Sequence, residues 1–320
     1  MVRGTLRAAG WAVVFLAALL APKALNTYWL HVTAIAWYYA LMAASWALLA
    51  GYAGQFSFAH MAFAAIGGYT SGLLAVDLHL PPVLGMLCGV LAAAIVGGVI
   101  GWLCLRLRGP YLSLFTLAFA QILQLILIAE YQFTRGSLGL SVPPLFHGDS
   151  DLPYYYAGFA LLLFSLGIMQ LVLRSRVGIF LRATREDEDA AEASGIDTSL
   201  YKIAVFTLTS AMAGLAGGFY GHFVGILTPN IVTIPEMGLV VAMAVVGGVE
   251  SLPGAVVGAV FIWVLSEVLR DYGQMRFVIL GLVIMLTQRF AQNGLVLLAT
   301  RLIAKRLQPQ RVEESGAPAA

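Results

Sequence analysis

Acidic and basic side chains crowd one stretch of this chain, residues 182–195, between the apolar runs that end at Leu173 and resume at Ile203. Their spacing suits a short helix that presents charge rather than one that catalyses. Thr184 followed three residues later by Asp187 forms a capping box of the Ser/Thr-x-x-acid type. Glu186, Asp187 and Glu188 then place negative charge at the positive end of the helix dipole, and Gly195 supplies a left-handed stop. Such a helix, about ten residues and about 15 Å long, is too short to hold its shape alone and needs a surface to lie on. Ala190, Ala191 and Ala193 let another backbone come close, inside a rim of Arg182, Arg185, Glu186, Glu188 and Asp189. Two readings follow, a helix that docks on a partner or a loop helix lying on its own bundle. Across residues 174–202 five basic side chains meet six acidic ones, so anionic lipid gains little there and a protein partner is favoured.

A second group combines glycine with polar residues: Gly51, Gly54, Gln55, Ser57 and His60 in one apolar segment, and Gly247, Gly248, Glu250 and Gly254 in another. Breaks in apolar helices expose backbone groups that lipid cannot satisfy and a polar cavity can. Paired breaks of this kind point to a translocation path near the membrane midplane; the alternative is a pair of tight interhelical turns with capped ends. No catalytic set is recognised, because His60, Ser57 and Glu267 lack convergent spacing. Glu267 is placed to pair with Arg270 one turn on, and no span carries the paired acids, histidines or lysines of a proton relay. Cys88 and Cys104, 16 residues apart in one apolar stretch, are separated on a helix by about 24 Å and cannot bridge. They also offer no metal-binding spacing.

These groups need a scaffold, and composition says which. The chain has 320 residues, 60% hydrophobic and 11% charged, with a net charge of +2, against about 25% charged in a soluble domain. A water-soluble fold is excluded, and the few scattered basic residues do not suit nucleic acid. The expected fold is all-α, a polytopic transmembrane bundle of about ten spans at residues 9–20, 29–50, 56–76, 83–105, 111–129, 155–173, 203–223, 237–249, 254–269 and 276–288. The first, eighth and tenth fall short of the roughly 20 residues that a span needs, so eight or nine crossings also fit. Lys and Arg favour cytoplasmic loops. Arg3 and Arg7 put residues 1–8 inside, and the segments with Arg106 and Arg108, with Arg174 to Lys202, and with Arg301 to Arg311 then share that side. Only Lys23, Arg135, Arg270 and Arg276 fall outside. Residues 11–20 also resemble a signal peptide, although Pro22 and Lys23 stand where a cleavage site would be. Residues 9–300 form the expected membrane domain, with the loop 174–202 cytoplasmic and the tail 301–320 disordered and cytoplasmic.

Helices in lipid associate through small residues, and the chain has 34 glycines. Small-xxx-small pairs recur at Gly97 and Gly101, Gly214 and Gly218, Gly217 and Gly221, and Gly254 and Gly258.

The loop also carries a resemblance. Asp189-Ala190-Ala191, followed by Gly195, is similar to the EAA-x-x-x-Gly signature of ABC importer permeases, with Asp for the usual Glu. Residues 178–197 resemble the LivM-type permeases of branched-chain amino acid ABC importers, as do residues 51–74, 108–116 and 245–258. Glu250 departs from the family's glycine-rich turn, and Arg289 is followed by Phe290 rather than Pro. The resemblance implies a permease that works with a second, similar but distinct permease, a periplasmic solute-binding protein and two cytoplasmic ATPases, in the inner membrane. It implies that the loop helix docks on the ATPase. It leaves open branched-chain amino acids, other amino acids, urea or amides. None of the three lysines follows a glycine, so the chain has no phosphate loop. ATP and Mg2+ belong to the partners, and no cofactor or metal is expected here. A self-sufficient secondary carrier or channel is the competing expectation.

Overall fold

In the computed structural model, residues 17–107, 109–148, 150–290 and 294 are described. Most of the first expected span, the N-terminal arginines and the tail 301–320 lie outside them. Proline starts many of the helices, because its fixed φ suits the first turn and its missing N–H is no loss there. The helices run α1 (Thr27–Ala47), α2 (His60–Asp77), α3 (Pro82–Leu103), α4 (Pro110–Ala129), α5 (Leu152–Arg174), α6 (Arg176–Glu186), α7 (Glu188–Ala193), α8 (Thr198–Val224), α9 (Ile234–Gly247), α10 (Leu252–Val268) and α11 (Met275–Phe290). Pro82, Pro110, Pro153, Pro235 and Pro253 occupy first turns.

The membrane-spanning bundle expected from composition is present, with five helices long and apolar enough to cross among the described residues. The expected third span begins at His60 rather than Phe56, because residues 54–58 are not helical. The short eighth span is a 14-residue helix, about 21 Å long against a hydrocarbon core of about 30 Å.

Successive long helices alternate in direction. One end of the bundle therefore gathers residues 51–59, 104–107, 175–197 and 248–251, called the loop end below. At the other end Tyr28 donates its hydroxyl to Glu267, and Arg270 pairs with the same carboxylate at 3.1 Å. The pairing expected for Glu267 is thus formed.

Backbone contact through glycine holds the centre. Gly97 and Gly101 of α3 lie against Ser210 and Phe206 of α8, while Gly214 and Gly218 of α8 lie against Ala93 and Met86 of α3. Gly217 abuts the Ala64 carbonyl of α2, and Gly221 packs on Leu227. Gly254 and Gly258 of α10 meet the carbonyls of Gly247 and Met243 in α9. Every expected small-residue pair is spent on close packing, the form of cohesion that lipid leaves available. On the outside of α3, Leu87, Leu91, Ile95 and Val99 form an exposed apolar stripe at four-residue spacing, the pattern of a lipid-facing surface.

Candidate functional site

The charged loop folds as two helices where the sequence suggested one. Thr184 does not cap; it lies inside α6, and its hydroxyl donates to the Phe180 carbonyl at 2.9 Å. Asp187 is the cap instead, extended at φ −155° and accepting from the Ala190 amide at 3.0 Å. An aspartate needs no Glu partner to do this, and α6 continues to Glu186 because Gly178, Leu181 and Thr184 bury one face on the bundle. The expected stop at Gly195 is formed. Its φ is +83°, its amide donates to Glu192, and the Ile196 amide donates to Ala191, the two bonds of a Schellman turn. The alanines divide: Ala191 is buried against its own bundle, whereas Ala190 and Ala193 are exposed. Asp189 and Glu186 are exposed beside them.

Both glycine breaks come to this loop end, and Arg185 joins them. From α6 its guanidinium donates to the Gly51 carbonyl, pairs with Glu250 at 2.9 Å and with Glu186 at 2.8 Å. Bonding to Glu186 first, then to Glu250, raises the pKa of Arg185 further above its ordinary value. The stem of Arg185 lies against Gly54, where a methyl would meet its Cγ at 2.8 Å. Tyr52 donates to the Glu250 carbonyl at 2.6 Å, and Arg182 stands 5.7 Å above the Tyr52 ring. Gly247 and Gly248 end α9, Ser251 caps α10 through the Gly254 amide at 3.1 Å, and the turn between them is tight. Gly51, Gly54, Gly247, Gly248, Glu250 and Gly254 therefore sit at the loop end, correcting the midplane placement that glycine breaks suggested.

Deeper in the bundle, Ser57 and His60 are fully buried, and neither ring nitrogen of His60 has a hydrogen bond. Gln55 is buried with its carbonyl oxygen unpaired. It faces a cavity of about 220 Å³ lined also by Cys104, Thr184, Arg185, Glu188 and Lys202. Lys202 of α8 is ion-paired with Glu188 of α7, which fastens that short helix to a long one.

A further break escaped the sequence reading. Residues 225–233 leave α8 and dip into the bundle. There β1 (Leu140–Ser141) pairs with β2 (Ile226–Leu227), Tyr69 of α2 donates to the Leu227 carbonyl at 3.2 Å, and Gln121 of α4 donates to Val232 at 3.5 Å. These bonds satisfy backbone that lipid would leave bare. α9 then starts inside the bundle with Glu236 in its first turn, bonded by the Tyr39 hydroxyl at 2.8 Å. The signal in sequence was Pro229 and Pro235 with an acid between two apolar runs, which reads equally well as an ordinary outer loop. Among the described residues no cluster of His, Cys, Asp and Glu suits a metal ion.

Residues 28–288 match the family described as branched-chain amino acid transport system / permease component. The high-affinity branched-chain amino acid transport permease LivM of Escherichia coli is 28% identical, over 78% of this chain and 65% of the relative. LivH of Salmonella typhimurium is 28% identical over 73% and 82%. The fructose import permease FrcC of Rhizobium meliloti is 25% identical over 64% and 61%. The chain thus spans about 65% of the length of the LivM relatives. No solved structure matches it. The bundle, its glycine-packed core and this match over most of the chain agree: the protein is a multi-pass membrane protein that belongs to the branched-chain amino acid permease family.

Proposed function

We propose that this chain is one permease subunit of an ATP-driven ABC importer in the cell inner membrane, moving branched-chain amino acids or related small amino acids inward by alternating access. The observation that carries this reading is the Arg185 junction: a single side chain of the loop holds both glycine breaks, at Gly51 and Glu250. A pull on α6 and α7 is therefore transmitted to two segments of the bundle at once, which is what access switching requires of a coupling element.

Two ATPases sit beneath the loop end, on the cytoplasmic side, and grip the outward face of α6 and α7 at Ala190, Ala193, Asp189 and Glu186. Glu188, Arg182, Arg185 and Ala191 brace that segment from within, and Gly195 ends it. ATP with Mg2+ is consumed by those partners, and the chain itself hydrolyses nothing. A second permease, similar but distinct, completes the path, and a periplasmic binding protein loads it from the other side. Gly51, Gly54, Gln55, Ser57, His60, Gly247, Gly248, Glu250 and Gly254 form the inner gate. The two membrane states must contact the ATPases differently for closure on ATP to do work.

The test is site-directed crosslinking in membranes. An Ala190→Cys variant treated with a bifunctional thiol reagent is expected to join the ATPase and to be labelled from the cytoplasmic side alone. Labelling from the periplasmic side, or no ATPase adduct at normal membrane levels, overturns the reading.

A further inference from the structure

Three helices fix the depth of the dip that precedes α9. Tyr39 lies about 18 Å from the start of α1 and about 12 Å from its last α-helical residue. Gln121 lies about 16 Å from the start of α4 and about 12 Å from its end. Tyr69 is similarly central in α2. Their partners Glu236, Val232 and Leu227 therefore stand about halfway through the bundle. A carboxylate at that depth costs several kcal/mol beside lipid and marks a pathway or a ligand by default.

The surroundings of Glu236 say which. Its one bonded neighbour among the described residues is the Tyr39 hydroxyl, and no basic side chain among them lies within 4 Å of it. Around it the rings of Tyr39 and Trp263 stack at 4.6 Å, and those of Tyr38 and Tyr220 meet at the same separation. Trp263 is itself anchored through its indole N–H on the Val32 carbonyl at 2.9 Å. Glu236 itself is partly exposed, and Pro235 beside it at the helix start is exposed. A carboxylate with no cation beside it among the described residues, backed by aromatic rings and partly exposed, complements a primary ammonium group.

We infer that Glu236, positioned by Tyr39, receives the ammonium group of an amino acid as it crosses the membrane midplane. This rests on the importer reading above and adds to it the residue that favours an amino acid over an uncharged solute such as a sugar. The solute binds through its charge and passes on, so loss of the carboxylate uncouples ATP use from delivery.

The experiment uses the complete importer, with both permeases, ATPases and binding protein, in proteoliposomes supplied with radiolabelled L-leucine. Leucine uptake and phosphate release are measured in the same vesicles for wild type and Glu236→Gln. The expected result is a rise of at least tenfold in ATP hydrolysed per leucine delivered. A smaller change overturns the inference, including the case in which both activities fall together, which is the mark of a structural role. Wild-type vesicles that accumulate leucine without ATP would instead sink the importer reading. As a second arm, Glu236→Cys in a background with Cys88→Ala and Cys104→Ala is treated with a cationic methanethiosulfonate. Modification from water, slowed by leucine-loaded binding protein, is expected; an unreactive thiol places this face in lipid and overturns the proposal.

Discussion

Replacing Arg185 with methionine separates coupling from folding. The methionine keeps an unbranched stem against Gly54 and removes only the guanidinium. Three interactions are lost. The charged bond to the Gly51 carbonyl is worth about 1.5–3 kcal/mol. The pair with Glu250, whose side chain is 73% exposed, adds at most about 1 kcal/mol. The pair with Glu186 lies within the same loop segment and contributes nothing to the link between segments. About 1.5–4 kcal/mol of connection between α6 and the glycine breaks disappears, and each 1.4 kcal/mol is about a factor of ten. The complete importer carrying Arg185→Met should therefore transport at least tenfold more slowly, while its ATPases still co-purify and hydrolyse ATP. Glu250→Gln alone should lose no more than about fivefold, because the exposed pair is the smaller part. Uptake of labelled leucine into proteoliposomes reads both variants. Transport by Arg185→Met within about twofold of wild type would refute the junction as the coupling element.

Gly217→Ala should lower the thermal midpoint of the purified protein in detergent, since the new methyl overlaps the Ala64 carbonyl and overpacking costs about 1–3 kcal/mol; Gly167→Ala, which meets nothing, should leave it unchanged. Gly195→Val places a branched side chain at φ +83°, a conformation costing about 1–2 kcal/mol, and should abolish uptake at normal membrane levels. Ala190→Trp should also abolish uptake with insertion intact, as a bulky group on the exposed face proposed to meet the ATPase. Ala191→Trp should in addition reduce the amount of folded protein, because Ala191 is buried, and equal membrane levels for the two tryptophan variants would contradict the orientation of α7.

Much of the bundle was legible because lipid imposes a coarse rule, about 20 apolar residues per crossing, and residues 29–50, 83–105, 111–129 and 155–173 obey it. The glycine pairs were legible for the same reason, since close approach needs small residues at four-residue spacing. The charged loop helix was legible in composition and in its stop at Gly195, but its start was not. Thr184 and Asp187 are both competent caps, and burial of Leu181 and Thr184 on the bundle, a tertiary contact, decided between them. The Arg185 junction was hidden because its partner Gly51 lies 134 residues away. Local spacing carries no trace of such a bond. Glu236 was hidden by depth. A proline-flanked acid beside a short apolar run looks like an outer loop, and only the bonds of Tyr39, Gln121 and Tyr69 place it inside.

The importer reading stands or falls on where the energy enters. Proteoliposomes holding this chain with its partner permease, ATPases and binding protein should accumulate leucine when ATP is supplied on the loop side. They should stop when vanadate is added, and should be indifferent to a protonophore. Accumulation by vesicles that contain the permeases without the ATPases, or uptake that collapses with the proton gradient while ATP is maintained, would contradict the account.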